Sequence, residues 1–428
     1  MSRYVRRTWE SRFDDFGLSK ADRKGCSYEA YVPDPLVGRP VLLDGPVAAI
    51  VSDAEREIVG FDRSAIALGD TEALARLLLR AEAVGSSRIE GLEIGPRRLL
   101  RADAARVAGE NSRDVTATEV LANIDAMTYA TETIREGTPI TVEYLLEIHH
   151  RLMVNTGLSA YAGKIRTEQN WIGGSSYNPC SAAFVPPPPK FVEALLRDLC
   201  QFCNEDTLQA VAQAAIAHVQ FETIHPFVDG NGRVGRALIH AVLRRRGLAR
   251  RFIPPVSLVL ATHSEAYVRG LNGTQYRGSA ASEPAIRGSN SWVELFSNAC
   301  IRSVRDAEVF ERRVRNLQRE WRARLGAVRS HSVIGKLLDA LPGAPILTVK
   351  TATELTHRSV PAVNEAIGRL VDAGILRATS AQARNRTFES VEIIEAFTDL
   401  ERGLATPAGD TRVEPPARRV PERPVKRT

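Results

Sequence analysis

The residues with the clearest chemical potential lie in one short segment between two predicted helices. Residues 225–236 read His-Pro-Phe-Val-Asp-Gly-Asn-Gly-Arg-Val-Gly-Arg. Pro226 disfavours helical backbone angles at His225, so the preceding helix should end there and leave a neutral imidazole available as a base. Gly230 and Gly232 permit a tight turn whose N–H groups face an anion at the start of the next helix. The segment therefore predicts a base beside a phosphate site.

Three charged side chains complete this predicted site. Arg233 and Arg236 stand three residues apart on one helix face, and their forked guanidinium groups suit phosphate oxygens. Asp229 offers a hard oxygen ligand for Mg²⁺ bridging those phosphates. The spaced glycines also fit a dinucleotide-binding pattern, but a helix precedes them and no acid lies between Arg236 and Ser264 to hold a ribose. A polar helix corner with surface arginines is the structural alternative.

Helical spacing predicts the elements that position this segment. A helix over about 208–224 leads into the loop and a second helix leaves it. Upstream, helices are predicted over residues 113–134 and 141–153. An extended β-hairpin follows over about 165–185 and ends at a run of four prolines. The chain is thus predicted to be mainly α with a small β-hairpin.

The carboxyl-terminal part carries a second pattern, that of a winged helix. After a long predicted helix at 291–317, the pattern predicts three shorter helices and then two extended runs. The helices cover residues 331–341, 350–356 and 359–373, and the extended runs cover residues 375–379 and 386–389. Between His331 and Leu400 seven basic residues stand against eight acidic ones, a charge of −1 that does not favour duplex DNA. Arg358, Arg384 and Arg386 are candidates for phosphate contacts. Protein docking or a homodimer is favoured, with DNA binding an open secondary role.

Composition limits the classes of protein to consider. At 428 residues two or three domains are expected, and 44% apolar with 25% charged residues is typical of a soluble chain without a membrane span. The amino terminus lacks the apolar core of a secretory signal. Five mostly isolated cysteines do not form a disulfide framework, and Cys200 and Cys203 are interpreted as buried structural residues. A cytoplasmic location is predicted. The net charge of +6 is spread along the chain and identifies no partner.

These patterns predict four consecutive regions. They are an N-terminal region at 1–110 with a helix at 71–90, a helical core at 111–318, a winged-helix domain at 326–402, and a disordered Pro/Arg-rich tail at 403–428.

Residues 225–236 resemble the signature of the Fic family at every position: His-Pro-Phe, an acid, Gly-Asn-Gly-Arg and a second Arg three residues later. The resemblance implies a Fic-type helical core and a protein adenylyltransferase, which transfers AMP from ATP to a hydroxyl group of a target protein or of itself. By that likeness His225 would deprotonate the hydroxyl and Phe227 would pack inward. The remaining implied ligands are Asp229 for Mg²⁺, Gly230, Asn231, Gly232 and Arg233 for the phosphates, Arg236 for the γ-phosphate, and Tyr267 beside the adenine.

Alternatives remain for the role of Tyr267 and for the reaction of the protein. Core packing explains Tyr267 as well as an adenine contact does. Members of the family that act as kinases carry a lysine in place of Arg233 and lack the second arginine, so the intact pair argues against that variant. A de-AMPylase using the same site, or a winged-helix DNA-binding regulator with a vestigial Fic site, remains open.

Two flanking segments extend the resemblance. The predicted hairpin that contains residues 166–173 resembles the family's flap, against which a target segment would lie as an added strand; a purely structural hairpin is the alternative. Residues 82–91 resemble the inhibitory motif of family members that carry their own brake. Glu90, supported by Ser86, would then pair with Arg236 and occupy the place of the γ-phosphate. An ordinary exposed glutamate at a helix end is the competing interpretation of Glu90.

Overall fold

The computed structural model describes residues 1–10, 19–66, 71–107, 109, 114–329, 331–379 and 386–404. Helices dominate, as the sequence predicts, and the strands form two small antiparallel sheets. The helices are α1 (Lys20–Arg23), α2 (Gly45–Ile66), α3 (Thr71–Ile89), α4 (Pro96–Val107), α5 (Val115–Thr133), α6 (Val142–Met153), α7 (Pro189–Cys203), α8 (Ala210–Ile224), α9 (Asn231–Arg245), α10 (Val256–Thr262), α11 (Ser264–Gly273), α12 (Glu283–Leu325), α13 (Val333–Ala340), α14 (Val349–Thr356), α15 (Val360–Asp372) and α16 (Val391–Leu404). The strands are β1 (Arg3–Trp9), β2 (Cys26–Val32), β3 (Ile346–Thr348), β4 (Arg377–Ala378) and β5 (Thr387–Glu389).

Packing divides the chain into two compact units, each built from separate stretches. Unit 1 comprises Met1–Arg63, Thr118–Ile253 and Glu265–Ile301, and unit 2 comprises Ser64–Ala117, Pro254–Ser264 and the chain from Arg302 onward. The predicted signature lies in unit 1, whereas the predicted inhibitory motif lies in unit 2. The four predicted regions stay predictions, and the residues of the predicted tail from 405 onward, like Arg384, lie outside the described residues. Within the described part, no helix has both the length and the apolar character that a bilayer span requires.

The centre of unit 1 is the helix pair that flanks the predicted signature. The alanine-rich α8 is buried along almost its whole length. At Gly235 of α9 the two helices come so close that an added Cβ would lie 2.5 Å from Oε1 of Glu222 and 3.0 Å from the ring of Phe221. Glycine permits this approach because it has no side chain. The loop between the helices is therefore fixed at both of its ends.

A β-hairpin of β1 and β2, which the sequence pattern does not reveal, stands beside the predicted flap in unit 1. The N–H of Tyr31 in β2 donates to the carbonyl oxygen of Val185 at 2.9 Å. Within the flap, regular pairing among the described residues is one antiparallel bridge between Ile172 and Phe184. The predicted hairpin is thus present but much shorter than predicted, because a 3-10 turn at Pro179–Ser181 interrupts the returning strand.

The cysteines differ from expectation in one respect. Cys26 and Cys180 form a disulfide in unit 1, a single bridge that the interpretation of mostly isolated cysteines did not anticipate. The two residues are 154 positions apart, and sequence spacing alone gives no indication of their proximity. Cys200 and Cys203 are free and buried, as predicted, and burial raises the pKa of the Cys200 thiol to about 12. The cytoplasmic location, which assumed reduced cysteines, stays a prediction.

Helix α3 of unit 2 ends where the sequence predicts. Gly91 follows it with φ +81°. The N–H of Leu92 donates to the carbonyl oxygen of Ser87 at 3.0 Å, and the N–H of Gly91 donates to that of Arg88 at 3.0 Å. This pair of bonds is a Schellman motif, which only a left-handed residue at the glycine position allows. Glu90 is therefore the C-cap residue of α3.

Two contacts hold α3 against the short helix α10. The buried carboxylate of Glu82 accepts hydrogen bonds from the backbone N–H of Ser257 at 2.7 Å and from its hydroxyl at 2.5 Å. One turn later, a Cβ added to Gly85 would lie 2.5 Å from the backbone nitrogen of Leu258. The first contact satisfies N–H and O–H donors at the start of α10, and the second brings the two backbones together.

The last part of unit 2, residues 333–404, is here named the C-terminal module. The three predicted helices and two predicted extended runs appear in order as α13, α14, α15, β4 and β5. An unpredicted strand, β3, lies between α13 and α14 and completes a sheet of order β3-β5-β4, and the winged-helix domain stays a prediction. Helix α16, which the sequence interpretation missed, continues directly from β5. Helix α4 packs on this module through a buried cluster of Leu100, Ala104, Ile346 and Ile394.

The contact between α3 and α10 leads to a first prediction. Gly85→Ala should lower the free energy of unfolding by about 1–3 kcal/mol, because the new methyl group meets rigid backbone. Gly60→Ala is a matched control, since nothing lies within 4 Å of the added Cβ in helix α2. That control should gain about 0.5–1 kcal/mol from helix propensity. Denaturant unfolding of both variants is the measurement, and equal effects would contradict the close approach.

Candidate active site

The loop between α8 and α9 breaks the chain direction at His225. This residue caps α8 in the left-handed conformation, with φ 49° and ψ 61°. Pro226 accounts for the end of the helix, as predicted. A left-handed residue other than glycine costs on the order of 1 kcal/mol, so neighbouring groups must hold it in place.

Arg166, from the start of the predicted flap, is the main such group. Its buried guanidinium donates from Nε to the carbonyl oxygen of His225 at 2.8 Å and from Nη2 to that of Pro187 at 2.6 Å. The backbone N–H of Arg166 also donates to the carbonyl oxygen of Pro226 at 2.9 Å. Burial lowers the pKa of Arg166 to about 10, which leaves it charged at neutral pH. One cation thus ties the flap to the backbone of the predicted catalytic base.

Asn170 adds a second tie between the flap and the loop. Its Nδ2 donates to the carbonyl oxygen of Phe227 at 3.0 Å and to that of His225 at 3.3 Å. Residues 166–173 belong to the predicted flap, but only the structure shows that two of these side chains fix the loop. Their separation of more than fifty residues from the loop leaves no local signal for this role.

His149 of α6 lies behind the loop and is a residue that sequence reasoning missed. Its ring stacks on Phe227 with centroids 3.8 Å apart and an interplanar angle of 1°. Nδ1 accepts from the N–H of Gly163 at 3.0 Å, so the proton of the neutral ring is on Nε2, which donates to the carbonyl oxygen of Asp229 at 3.1 Å. Burial lowers the pKa of His149 to about 4 and keeps the ring neutral. Phe227 is fully buried, as predicted.

Gly230 and Asn231 close the turn at the start of α9. Gly230 is left-handed with φ 76°, and a Cβ added there would lie 2.9 Å from Cδ2 of Leu152. The amide of Asn231 bonds the backbone of Phe227 in both directions, accepting from its N–H at 2.8 Å and donating to its carbonyl oxygen at 2.9 Å. The side chain of Asn231 therefore shapes the loop, and the N–H groups at the helix start remain the donors available to an anion.

Arg233 is the most informative side chain of the site. It is only 4% exposed, yet its Nε and Nη1 have no hydrogen-bond partner among the described residues. Its ion pairs are long, 3.5 Å to Asp229 and 4.0 Å to Glu119. Buried polar groups normally have partners, and a guanidinium with two unsatisfied donors beside a helix N-terminus is suited to bind a phosphate group.

The donor set fits a magnesium ion only in part. Asp229 is half-exposed at the mouth of the loop and presents carboxylate oxygens, the ligand type that Mg²⁺ prefers. No group of three or more His, Cys, Asp or Glu residues suited to a metal occurs in the described ranges. One carboxylate suffices where phosphate oxygens and water complete the octahedron.

The remaining predicted site residues fall into two groups. Gly232 and Arg236 are buried in the first turns of α9, beside Arg233. Tyr267 is in unit 1 but is buried, with its hydroxyl 2.8 Å from Nε2 of His218, so its adenine contact stays a prediction. Ser86 is buried in α3 of unit 2 and Glu90 is the C-cap of the same helix; their inhibitory role also stays a prediction.

Two family comparisons agree with this geometry. Residues 139–243 match the Fic/DOC family, and residues 49–132 match its N-terminal region. The crystal structure of a Fic family protein from Desulfovibrio desulfuricans G20 covers 82% of this chain and 98% of its own at 21% identity, with a TM-score of 0.51, which shows a shared fold. The chain thus contains a Fic/DOC family region at residues 139–243 and that family's N-terminal region at residues 49–132.

Among relatives of known name, the protein adenylyltransferase fic-1 of Caenorhabditis elegans is 28% identical over 267 residues, which cover 58% of this chain and 48% of that protein. The protein adenylyltransferase Fic of Drosophila melanogaster is 32% identical over 152 residues, 35% of this chain and 28% of that protein. A probable protein adenylyltransferase of Aquifex aeolicus is 50% identical over 68 residues, 16% of this chain and 21% of that protein. The chain thus spans about half or less of each of these relatives.

The contacts of His149 lead to a second prediction. His149→Phe keeps a flat ring but leaves the N–H of Gly163 and the carbonyl of Asp229 without their partner, which should cost about 2 kcal/mol or more. In the parent protein the pKa of His149 falls from its ordinary value of about 6.5 to about 4 on folding. The unfolded chain therefore takes up the proton at a higher pH than the folded protein, and the free energy of unfolding should decrease as the pH drops from 6.5 towards 4.

The measurement is the free energy of unfolding at several pH values in that window. The parent protein should show an extra slope of up to about 1.4 kcal/mol per pH unit that His149→Phe lacks. The exposed neighbour His150 provides the control variant, His150→Phe, which is measured in the same way. Identical slopes for the parent and His149→Phe would show that His149 is not a buried neutral group.

The two unsatisfied donors of the Arg233 guanidinium lead to a third prediction. Arg233→Met should keep or raise the melting temperature, because it removes a buried charge with unsatisfied donors. The same change should weaken binding of ATP with Mg²⁺ by about 10- to 100-fold, since charge-assisted hydrogen bonds to phosphate are lost. Calorimetry measures both quantities, with the exposed Arg197→Met as control. A large loss of stability with unchanged ATP affinity would identify Arg233 as structural.

Proposed function

We propose that this protein is an adenylyltransferase that transfers AMP from ATP to a hydroxyl side chain of a protein. The observation that carries the proposal is the buried guanidinium of Arg233, with unpaired donors, at the start of a helix entered through a glycine turn. This arrangement fits the phosphates of a nucleotide. The names of the relatives, all protein adenylyltransferases, support the same reaction.

In the proposed reaction the target hydroxyl oxygen attacks the α-phosphorus of ATP. The new oxygen–phosphorus bond forms as the bond to the β-phosphate breaks, and pyrophosphate leaves. His225 receives the hydroxyl proton, and the ties from Arg166 and Asn170 to its carbonyl oxygen orient it. Arg233 and Arg236 stabilise the charge that develops on the departing phosphates. A Mg²⁺ ion bound through Asp229 would neutralise phosphate charge.

The proposal includes a brake at Glu90. The Schellman motif at Gly91 holds Glu90 at a fixed position on the end of α3, so its carboxylate is presented by backbone geometry rather than by a loose chain end. By likeness to the family's inhibitory motif, this carboxylate competes with the γ-phosphate for Arg236. ATP would then bind in a position from which transfer is slow.

The flap is the proposed docking place for the target. Its single antiparallel bridge at Ile172 and Phe184 leaves a short extended segment, and a target strand adding to such an edge is recognised by main-chain pairing. The half-exposed side chain of Ile172 offers apolar contact to that strand. Because the ties at Arg166 and Asn170 join this segment to the loop, a docked strand would lie at a fixed distance from His225.

Label transfer provides the fourth prediction. Glu90→Gly should transfer label from α-labelled ATP to protein at least tenfold faster than the parent, because the γ-phosphate site becomes available. Adding His225→Ala to that variant should lower transfer by about 100-fold or more, since the proton acceptor is lost. Label that arrives only from γ-labelled ATP would identify a kinase. No transfer by Glu90→Gly from either nucleotide would refute the proposed reaction, and loss of pre-attached AMP would indicate the reverse activity.

A further inference from the structure

Within unit 2, the C-terminal module contacts the helix that carries Glu90. The loop after α13 approaches α3 closely at Gly343, where an added Cβ would lie 2.9 Å from Cα of Ala73. Arg80 of α3 donates from Nη1 to the carbonyl oxygen of Gly343 at 2.6 Å and from Nη2 to Oδ2 of Asp103 at 2.5 Å. The first half of α3 is therefore attached to the module by backbone approach and by a charged donor.

A second contact lies at the other end of α3. Arg88, two residues before Glu90, faces Glu401 of α16, with Nη2 3.7 Å from Oε2. Glu401 is only 5% exposed, and its Oε1 has no hydrogen-bond partner in the described part of the chain. Burial raises the pKa of Glu401 to about 7, while Arg88 acts in the opposite direction. A carboxylate in this environment depends on Arg88 for its charge.

Helix α10 completes the enclosure of this end of α3. It packs against both α3 and α16, and Glu82 and Gly85 fix α3 upon it. The final turns of α3 thus lie against α10, which in turn packs against α16 of the C-terminal module, and Arg88 links α3 to α16 directly. Since Glu90 caps the same helix, any displacement of α16 changes the support of Glu90.

We propose that Arg88 and Glu401 are positioning residues for Glu90, and that through this ion pair the C-terminal module sets the strength of autoinhibition. The inference rests on the proposed function, because it needs Glu90 to be a brake. It adds that the residues holding the brake in place touch neither nucleotide nor target. It also adds that the C-terminal module regulates the brake. A change in α16 would weaken the brake without altering the catalytic loop.

The physical basis is the cost of separating the pair. Moving Arg88 away would leave a buried carboxylate without its counter-ion, so α3 and α16 are coupled as long as Glu401 is charged. Replacing the carboxylate by the isosteric amide removes that coupling while it keeps the side-chain volume. The amide also avoids burying a charge, so the fold should be retained or stabilised.

The fifth prediction tests the pair by combining it with Glu90→Gly. Glu401→Gln alone should raise AMP transfer from α-labelled ATP by about 2- to 30-fold. In the Glu90→Gly background, Glu401→Gln should add nothing, because the residue that it positions is gone. The rate constant and the KM for ATP are measured for the parent, both single variants and the double variant.

Controls separate positioning from general loosening. Glu395→Gln is the same chemical change at an exposed position of the same helix and should leave transfer unchanged. Arg88→Lys keeps the positive charge and should retain most of the inhibition, whereas Arg88→Met should behave like Glu401→Gln. Melting temperatures of all variants show whether the fold persists; if Glu401→Gln unfolds, the comparison of Arg88→Met with Arg88→Lys decides.

The outcomes distinguish this inference from the proposed function. If Glu90→Gly transfers no AMP, the proposed function itself fails. If Glu90→Gly is active but Glu401→Gln and Arg88→Met match the parent, the positioning role is overturned. The role is also overturned if Glu401→Gln raises transfer equally in both backgrounds, because the effect would then bypass Glu90.

Discussion

The structure depends on one constraint: an irregular, buried turn must find hydrogen-bond partners for its backbone outside itself. In the loop between α8 and α9 these partners are the imidazole of His149, the guanidinium of Arg166 and the amides of Asn170 and Asn231. Because protein groups satisfy the carbonyl oxygens, the turn holds its shape before any ligand binds. The donors at the start of α9 and the side chain of Arg233 are then left for an anion. This is preorganisation in the sense used for enzymes, in which the ligand meets dipoles that are already oriented.

The proposed catalytic loop and the proposed brake belong to different units of the chain. The loop and its supports belong to unit 1, whereas α3 is fixed within unit 2 by α10, by the carbonyl of Gly343 and by the ion pair to Glu401. If Glu90 is the proposed brake, its support within unit 2 can change without disturbing the loop between α8 and α9, because that loop belongs to unit 1. Burying the carboxylate of Glu401 against Arg88 carries a desolvation cost, so this ion pair is weak evidence for added stability. The unit that shares no residue with the catalytic loop is accordingly the natural place for control.

The sequence predicted well those features that depend on neighbouring residues. The end of α8 at His225 follows from Pro226, and the end of α3 follows from Gly91, since both are local backbone effects. The residue types of the phosphate site were equally readable, because they lie within twelve positions. The residues that support this site could not be predicted in the same way. His149 is eighty residues from Asp229 in sequence, and its local pattern is that of any histidine on an amphipathic helix. The β1–β2 hairpin and the Cys26–Cys180 pair escaped for the same reason, since contacts between distant segments leave no periodic signal.

That disulfide has a topological consequence. By joining positions 154 residues apart, it makes a covalent ring that contains α2 to α6 and most of the flap, whatever the rest of the chain does. A ring of this size removes many conformations from the unfolded chain, worth about 4–5 kcal/mol by loop-closure entropy. Cleavage of a single peptide bond anywhere inside the ring would therefore leave two fragments joined by the disulfide, and only a reductant would separate them.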